Sequence, residues 1–115
     1  MELQVVKFML FAQDMERAIG FYRGVIGLDC ALQTPHWSEL KHGDAVVALH
    51  SGGTGARTKT GLSFQVTDIE AACAEIAAGG GEIVQAPQNR PGEPIPLAEC
   101  SDPEGNVFMV TEYVG

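Results

Sequence analysis

The stretch Phe11-Ala12-Gln13-Asp14-Met15-Glu16-Arg17-Ala18 returns 54 residues later as Gln65-Val66-Thr67-Asp68-Ile69-Glu70-Ala71-Ala72. In each copy an apolar, β-prone run, 5–11 or 62–66, stops shortly before an aspartate. Asp14 and Asp68 are suited to cap a helix, because a carboxylate accepts hydrogen bonds from the free N–H groups of a first helical turn. After each aspartate the spacing of apolar residues changes from about two to about 3.6. The repeat therefore predicts a strand followed by an amphipathic helix in each half of the chain.

Glycines and short apolar runs delimit the rest of each half. The helices are predicted to end at Gly27 and at 79–81, where glycine adopts a left-handed conformation without steric cost. Strands are predicted at residues 5–11, 28–33, 37–40, 45–50, 62–66, 82–85, 97–101 and 107–113. The predicted fold class is α+β, with one domain, 1–115, made of two tandem β-α-β-β-β units at about 1–52 and 61–115.

Two further segments join or interrupt these units. Residues 51–60 contain three glycines, which predicts a flexible link between the units. Residues 86–96 contain four prolines, which predicts a long and fairly stiff loop. A loop of that length in a compact domain is either functional or a plain surface connection.

Composition excludes several classes of protein. Apolar residues make up 45% of the chain, yet no window approaches the roughly 18 consecutive apolar residues that a membrane span needs. The start, 1–4, lacks the basic and apolar regions of a secretion signal, so a cytoplasmic protein is expected. The net charge of −8 argues against nucleic acid, whose phosphates need a basic surface. The three cysteines show no metal-ligand spacing, so no zinc site or disulfide framework is expected.

Four motifs carry a resemblance to a known family. Residues 14–28, with Phe21-Tyr22 and Gly27-Leu28, are similar to an opening written D-x-x-x-x-x-x-F-Y-x-x-x-L-G-L, and residues 102–106 are similar to a D-P-x-G-N turn. Residues 37–40 and 47–50 resemble its W-x-E-L and L-A-L-H strands. The chain thus resembles the vicinal oxygen chelate superfamily, which includes glyoxalase I, extradiol dioxygenases and bleomycin-resistance proteins. The resemblance implies that the units form a U-shaped mixed sheet around a ligand cup, and that the protein is a homodimer.

Members of that family usually bind a divalent metal through four side chains. Carried over to this sequence, the four positions fall on Lys7, Ala48, Leu62 and Met109. None of these is a histidine or a carboxylate, which such a site requires. The resemblance therefore implies a protein without a metal or other cofactor, although a non-standard site built from Glu39 and His50 stays open.

Strand alternation indicates which side chains would line the cup. If Ala48 faces the cup, His50 does too, because residues two apart share one face of a strand. The expected ligand-binding residues are Lys7, Met9, Trp37, Glu39, Ala48, His50, Leu62, Phe64 and Met109. An inward ammonium at Lys7 needs a ligand anion or a nearby carboxylate, unless it extends to water. Trp37 either touches ligand or packs in the core, and His50 is either a ligand contact or a structural histidine.

Three hypotheses about function follow. The first is a metal-independent protein that binds a small organic molecule, an antibiotic or a metabolite, as resistance proteins do. The second is a glyoxalase-like lyase or isomerase that uses a non-standard metal site or a metal-free acid–base residue, for which His50 is the best catalytic candidate. The third is a dimeric interaction protein without a ligand. The sequence leaves open whether the protein is an enzyme.

Overall fold

The computed structural model describes residues 1–93 and 95–113. Pro94 of the predicted loop 86–96, and Val114 and Gly115 of the second unit, lie outside the described residues. The elements are β1 (Lys7–Ala12), α1 (Met15–Phe21), β2 (Asp29–Leu32), β3 (Trp37–His42), β4 (Ala45–Ser51), β5 (Thr58–Val66), α2 (Ile69–Ala78), β6 (Glu82–Gln88), β7 (Leu97–Ser101) and β8 (Asn106–Glu112). None of the helices in the described part of the chain is long and apolar enough to cross a membrane.

Each half of the chain forms its own four-stranded mixed sheet. The strand order is β1-β4-β3-β2 in the first sheet and β5-β8-β7-β6 in the second. In both sheets the strand before the helix runs parallel to the last strand of the unit, and the other pairs are antiparallel. The two predicted β-α-β-β-β units and the α+β class are confirmed.

Both helices begin as their sequences predict. The Asp14 carboxylate accepts a hydrogen bond from the Arg17 backbone N–H at 3.1 Å, and Asp68 accepts one from Ala71 at 3.1 Å. After α1 the chain continues as one wider, π-helical stretch, Tyr22–Ile26, and leaves it at Gly27 with a φ of 92°. That left-handed conformation suits glycine, and it directs the chain into β2.

Two strands extend into segments that the sequence assigns to loops. β5 begins at Thr58, inside the predicted link, because Thr58 and Lys59 pair with the first residues of β8. β6 continues to Gln88, inside the predicted loop, where it pairs with Leu97. The link between the sheets is correspondingly shorter than predicted.

The helices lie between the two sheets and share one core with both. The ring of Phe108 on β8 lies 6.2 Å from Phe21 and 6.5 Å from Tyr22, which belong to the first unit, and 5.5 Å from Phe64 of its own sheet. Buried residues of both units form a single cluster around these rings. Each sheet therefore has one side packed on the helix layer and one side turned away from it, which we call the first and second outer faces.

A buried turn fastens the two units together. The carboxylate of Glu104, in the β7–β8 turn, accepts hydrogen bonds from the backbone N–H groups of Gln13 and Asp14 at 2.9 and 2.7 Å and from the Arg17 guanidinium at 2.6 Å. In the same turn, Asp102 accepts a hydrogen bond from the Tyr22 hydroxyl at 2.6 Å. The start of α1 is thereby fixed to the second sheet.

The prediction that Leu62 and Phe64 line the cup is wrong. Leu62 is buried in the shared core and Phe64 packs on Phe108, so both side chains face the helix layer. Ser63, which pairs with Met109, occupies the outer face instead. The cause is a difference in counting between the two units. Lys7 lies seven residues before Asp14, so the equivalent position before Asp68 is Gly61, whereas the prediction counted six and selected Leu62. A shift of one residue reverses the face of a strand.

Candidate functional site

The first outer face carries three cross-strand rows of side chains. The first row is aromatic: Phe11 on β1 pairs with His50 on β4, which pairs with Trp37 on β3. The second and third rows, written from β1 across the sheet, are Met9, Ala48, Glu39 and Leu32, and Lys7, Val46, Lys41 and Asp29. All nine predicted ligand-binding residues were expected to line one cup, and six of them share this face: Lys7, Met9, Trp37, Glu39, Ala48 and His50.

An ion pair organises the centre of this face. One carboxylate oxygen of Glu39, Oε2, accepts hydrogen bonds from Lys7 Nζ at 2.8 Å and from the indole Nε1 of Trp37 at 2.7 Å. The ammonium also lies 5.9 Å from the centre of the Trp37 ring. The Lys7 hydrogen bond, followed by that of Trp37, lowers the pKa of Glu39 below its ordinary value. The alternative of a nearby carboxylate partner for Lys7 is therefore confirmed.

The aromatic row is open to solvent and arranged edge to face. The His50 ring lies 5.6 Å from Phe11 and 6.0 Å from Trp37, with planes inclined by 64° and 87°. Phe11 and Met9 are exposed, at 49% and 41%. His50 Nδ1 meets the Ser51 carbonyl oxygen, which can only accept, so Nδ1 carries the proton and Nε2 is left as an acceptor.

Ala48 is fully buried at the middle of the second row, between Met9 and Glu39. Because Ala48 has the smallest side chain of that row, the surface of the sheet is slightly concave there. A molecule on this face would thus meet the taller neighbours of Ala48 before Ala48 itself.

The second outer face repeats the charge pattern of the first. Glu99 on β7 pairs with Met109 on β8, as Glu39 pairs with Ala48, and its carboxylate lies 3.7 Å from Lys59 Nζ. Its other residues are more polar, with Ser63 beside Met109 and Gln65 beside Thr111. Met109 is half-buried here, so the structure separates it from the six residues gathered on the first outer face.

The residues present do not fit the divalent metal that the family resemblance implies. With the face of β5 corrected, the four positions are Lys7, Ala48, Gly61 and Met109, which offer an ion-paired ammonium, a methyl group, no side chain and a thioether. Divalent ions bind to imidazole or carboxylate groups, which these four positions do not supply. Glu39 Oε2 already accepts two hydrogen bonds, and the described residues contain no group of three or more His, Cys, Asp or Glu that could hold a metal.

A separate groove of about 390 Å³ opens on the helix side, between the end of the π-helical stretch, α2 and β5. Val25, Phe64 and Ile76 contribute apolar walls. Of the predicted ligand-binding residues, Phe64 lines this groove. Ser63 and Gln65 of the second outer face line it too, whereas none of the residues in the three rows of the first outer face does.

The sequence profile of the glyoxalase/bleomycin resistance protein/dioxygenase superfamily matches residues 4–110. The chain belongs to this superfamily.

Relatives of this superfamily member agree in fold. It is 30% identical over 107 residues to the protein named "Putative glyoxylase CFP32" of Mycobacterium bovis, covering 88% of this chain and 41% of that protein. The chain thus spans less than half the length of this curated relative. A crystal structure of a family enzyme from Burkholderia phytofirmans superimposes with a TM-score of 0.79 at 19% identity, covering 94% of this chain and 97% of the other. That of TnmS3, an antibiotic binding protein from Streptomyces sp. CB03234, gives 0.75 at 26% identity, covering 98% of each.

The ion pair on the second outer face was missed from the sequence, although a signal for it exists. Leu97-Ala98-Glu99-Cys100 repeats the pattern of Trp37-Ser38-Glu39-Leu40, with an apolar residue two before a glutamate. The strand at 97–101 was predicted, but not the correspondence of Glu99 with Glu39.

Proposed function

We propose that this superfamily member is a metal-independent binding protein for a small organic molecule, an antibiotic or a metabolite, which it holds against the first outer face. The observation that carries the proposal is an aromatic row, made of the exposed Phe11 and His50 and the half-buried Trp37, beside an ion-paired carboxylate. Binding sites for organic molecules are mostly apolar and aromatic with a few well-placed polar groups. The likeness to TnmS3, an antibiotic binding protein, supports the same class of function.

The proposal includes a second copy of the chain, which would complete the site. Both outer faces point away from the shared helix layer, so they cannot enclose one ligand within a single chain. Within residues 1–93 and 95–113, β1 and β5 each pair with a single neighbouring strand. Apolar side chains lie exposed along and just before β1, including Val6 at 70% and Phe8 at 37%. An unpaired, apolar edge is a template for pairing with another chain.

The internal repeat makes the two free edges natural counterparts. β1 and β5 occupy equivalent places in their units, so β1 of one copy can lie beside β5 of another while the reverse contact forms at the same time. Such an exchange closes under two-fold symmetry, the commonest arrangement of homodimers. The first outer face of one copy would then stand beside the second outer face of the other, as two walls of one cup.

A thermal-shift screen of antibiotics and metabolites tests the binding function. A true ligand at about 100 times its Kd should raise Tm by about 10 °C. Trp37→Ala and His50→Ala should each abolish most of the shift. His42→Ala is the matched control, because His42 lies on the other side of β3 and should leave the shift unchanged.

Metal analysis of the purified protein separates the alternatives. A stoichiometric divalent ion that is lost in Glu39→Gln or His50→Ala would overturn metal-independent binding in favour of a metal-dependent enzyme. Turnover of a bound compound that disappears in His50→Ala would favour acid–base catalysis. A dimer that gives no thermal shift with any compound would favour a purely associative role.

A further inference from the structure

We infer that the ligand of the first outer face is a planar aromatic molecule that carries an uncharged hydrogen-bond donor, and that Glu39 is the residue that selects for the donor. The inference rests on the proposed function, since it names the class of molecule that this face would bind. It is carried by three observations: the aromatic row, a Glu39 oxygen that accepts no hydrogen bond from the described part of the chain, and the local balance of charge.

The aromatic row favours a flat ligand. Phe11, His50 and Trp37 come from three adjacent strands and stand edge to face, so they present a continuous ridge of rings across the sheet. Beside this row, the exposed Met9 and the partly exposed Glu39 flank the fully buried Ala48. A planar ring system can stack on such a surface with little loss of conformational freedom, and aromatic pairs contribute beyond their buried area.

Glu39 is held in place and still has an oxygen to offer. Both Lys7 and Trp37 donate to Oε2, and none of the residues in 1–93 and 95–113 donates to Oε1. The Glu39 side chain is 18% exposed, so part of it is open to solvent on this face. A carboxylate oxygen fixed by two other bonds is a pre-organised acceptor, which loses little entropy when a ligand donates to it.

The charge on this face is already balanced. Lys7 neutralises Glu39 at 2.8 Å, so a cationic ligand would not find a free counter-charge and would still lose its hydration. An uncharged donor such as a phenol O–H or an amide N–H can use Oε1 without disturbing the ion pair. The face therefore favours neutral donors over ammonium groups.

The single tryptophan of the chain allows a direct test. Its indole N–H gives one resonance in a ¹⁵N–¹H NMR spectrum, and that N–H is the group bonded to Glu39. The protein is titrated with 2-naphthol, 2-methoxynaphthalene, decahydro-2-naphthol and 2-naphthylmethylammonium. These probes keep the size of the ligand nearly constant while removing the donor, removing planarity or adding charge.

We expect 2-naphthol to shift the indole resonance with a Kd about tenfold lower than that of each other probe, the size of one hydrogen bond to a charged acceptor. In Glu39→Ala, 2-naphthol and 2-methoxynaphthalene should bind equally. Glu16→Gln, which removes a charge from the exposed side of α1, is the control and should keep the tenfold preference.

Each contrary outcome identifies what has failed. Equal binding of 2-naphthol and 2-methoxynaphthalene to the unmodified protein would overturn the role of Glu39, and equal binding of decahydro-2-naphthol would overturn planarity. Tighter binding of the ammonium probe would overturn the charge argument. If none of the four probes binds while the thermal-shift screen finds a ligand of another class, the inference fails and the proposed function stands; if the screen is also empty, both fail.

Discussion

At the scale of single residues, the first outer face is governed by one carboxylate. Glu39 joins a lysine from β1 to the indole of its own strand, and the two donors share one oxygen. The sequence predicted that an inward Lys7 needs a partner, but it could not identify Glu39, because the two residues are 32 positions apart and meet only through β4. The register of β1 and β3 on β4 cannot be predicted from local sequence patterns.

The pKa of Glu39 should depend on Lys7. Because the Lys7 hydrogen bond is the largest cause of the lowered pKa, Lys7→Met should raise the Glu39 pKa towards its ordinary value. The stability that the ion pair contributes is present above the ordinary carboxylate pKa and is lost as the pH falls through the lowered one. A ¹³C NMR titration of the Glu39 carboxyl measures the change. Lys59→Met, which removes the corresponding lysine of the second outer face, should leave it unaltered; a Glu39 titration that ignores Lys7 would contradict the prediction.

Tyr22 should ionise only when the protein unfolds. Its burial, followed by the neighbouring Asp102 carboxylate, holds the pKa of the phenol well above its ordinary value. A raised acid pKa in the folded state means that stability is complete below the ordinary value and declines as the pH rises above it. In a Tyr113→Phe background, absorbance at 295 nm reports Tyr22 alone. We expect it to rise together with loss of the circular dichroism signal, whereas ionisation in a folded protein would contradict a buried Tyr22–Asp102 bond.

At the scale of secondary structure, the repeat predicted the features that depend on residues close together in sequence. Both aspartate caps and the glycine after Ile26 are local signals, and both helices begin where predicted. The face to which each β5 side chain points is harder to predict, because side chains alternate between the two faces and an error of one residue in the count reverses them all. Counting six residues back from Asp68 instead of seven moved the assigned position by one residue, which reverses the face of β5. Leu62 and Phe64 were therefore assigned to the wrong side.

The β7–β8 turn should tolerate no side chain at Gly105. Gly105 has a φ of 90°, and an added Cβ would lie 2.5 Å from the Ala56 carbonyl oxygen. Gly105→Ala should lower the free energy of unfolding by about 2 to 4 kcal/mol, from strain and overpacking together. Gly24→Ala is the control, since nothing lies within 4 Å of its Cβ position and alanine is favoured in a helix. Urea denaturation measures both, and a neutral Gly105→Ala would refute the tight contact.

At the scale of the whole molecule, the two sheets enclose the helices, and one face of each sheet is turned away from the shared core. Composition predicted one domain, and the repeat predicted two equivalent units. The relative placement of the units could not be read from the chain, because it rests on contacts such as Glu104 with Gln13, which are 91 residues apart. The likeness to family structures follows from this shared arrangement.

The protein should be a dimer of twice 12.2 kDa in light-scattering measurements. Val6→Glu should weaken the dimer at least tenfold, because two-fold symmetry introduces the charge twice beside an apolar edge in chains that already carry −8. Val84→Glu is the control: Val84 is exposed on β6, at the opposite edge of the second sheet, and should have no effect. A monomeric unmodified protein would overturn the exchange of β1 and β5.

The outward orientation of the two sheets implies that two different inactive variants could restore binding to each other. If each cup is formed by one face from each of two chains, a variant defective at Trp37 and a variant defective at Met109 are each unable to bind ligand as homodimers. A heterodimer of the two variants has one cup with both faces intact and one cup with both faces defective. Each heterodimer would therefore bind ligand at one of its two cups, which is complementation between two inactive variants. A protein whose cup lay within a single chain could never recover in this way.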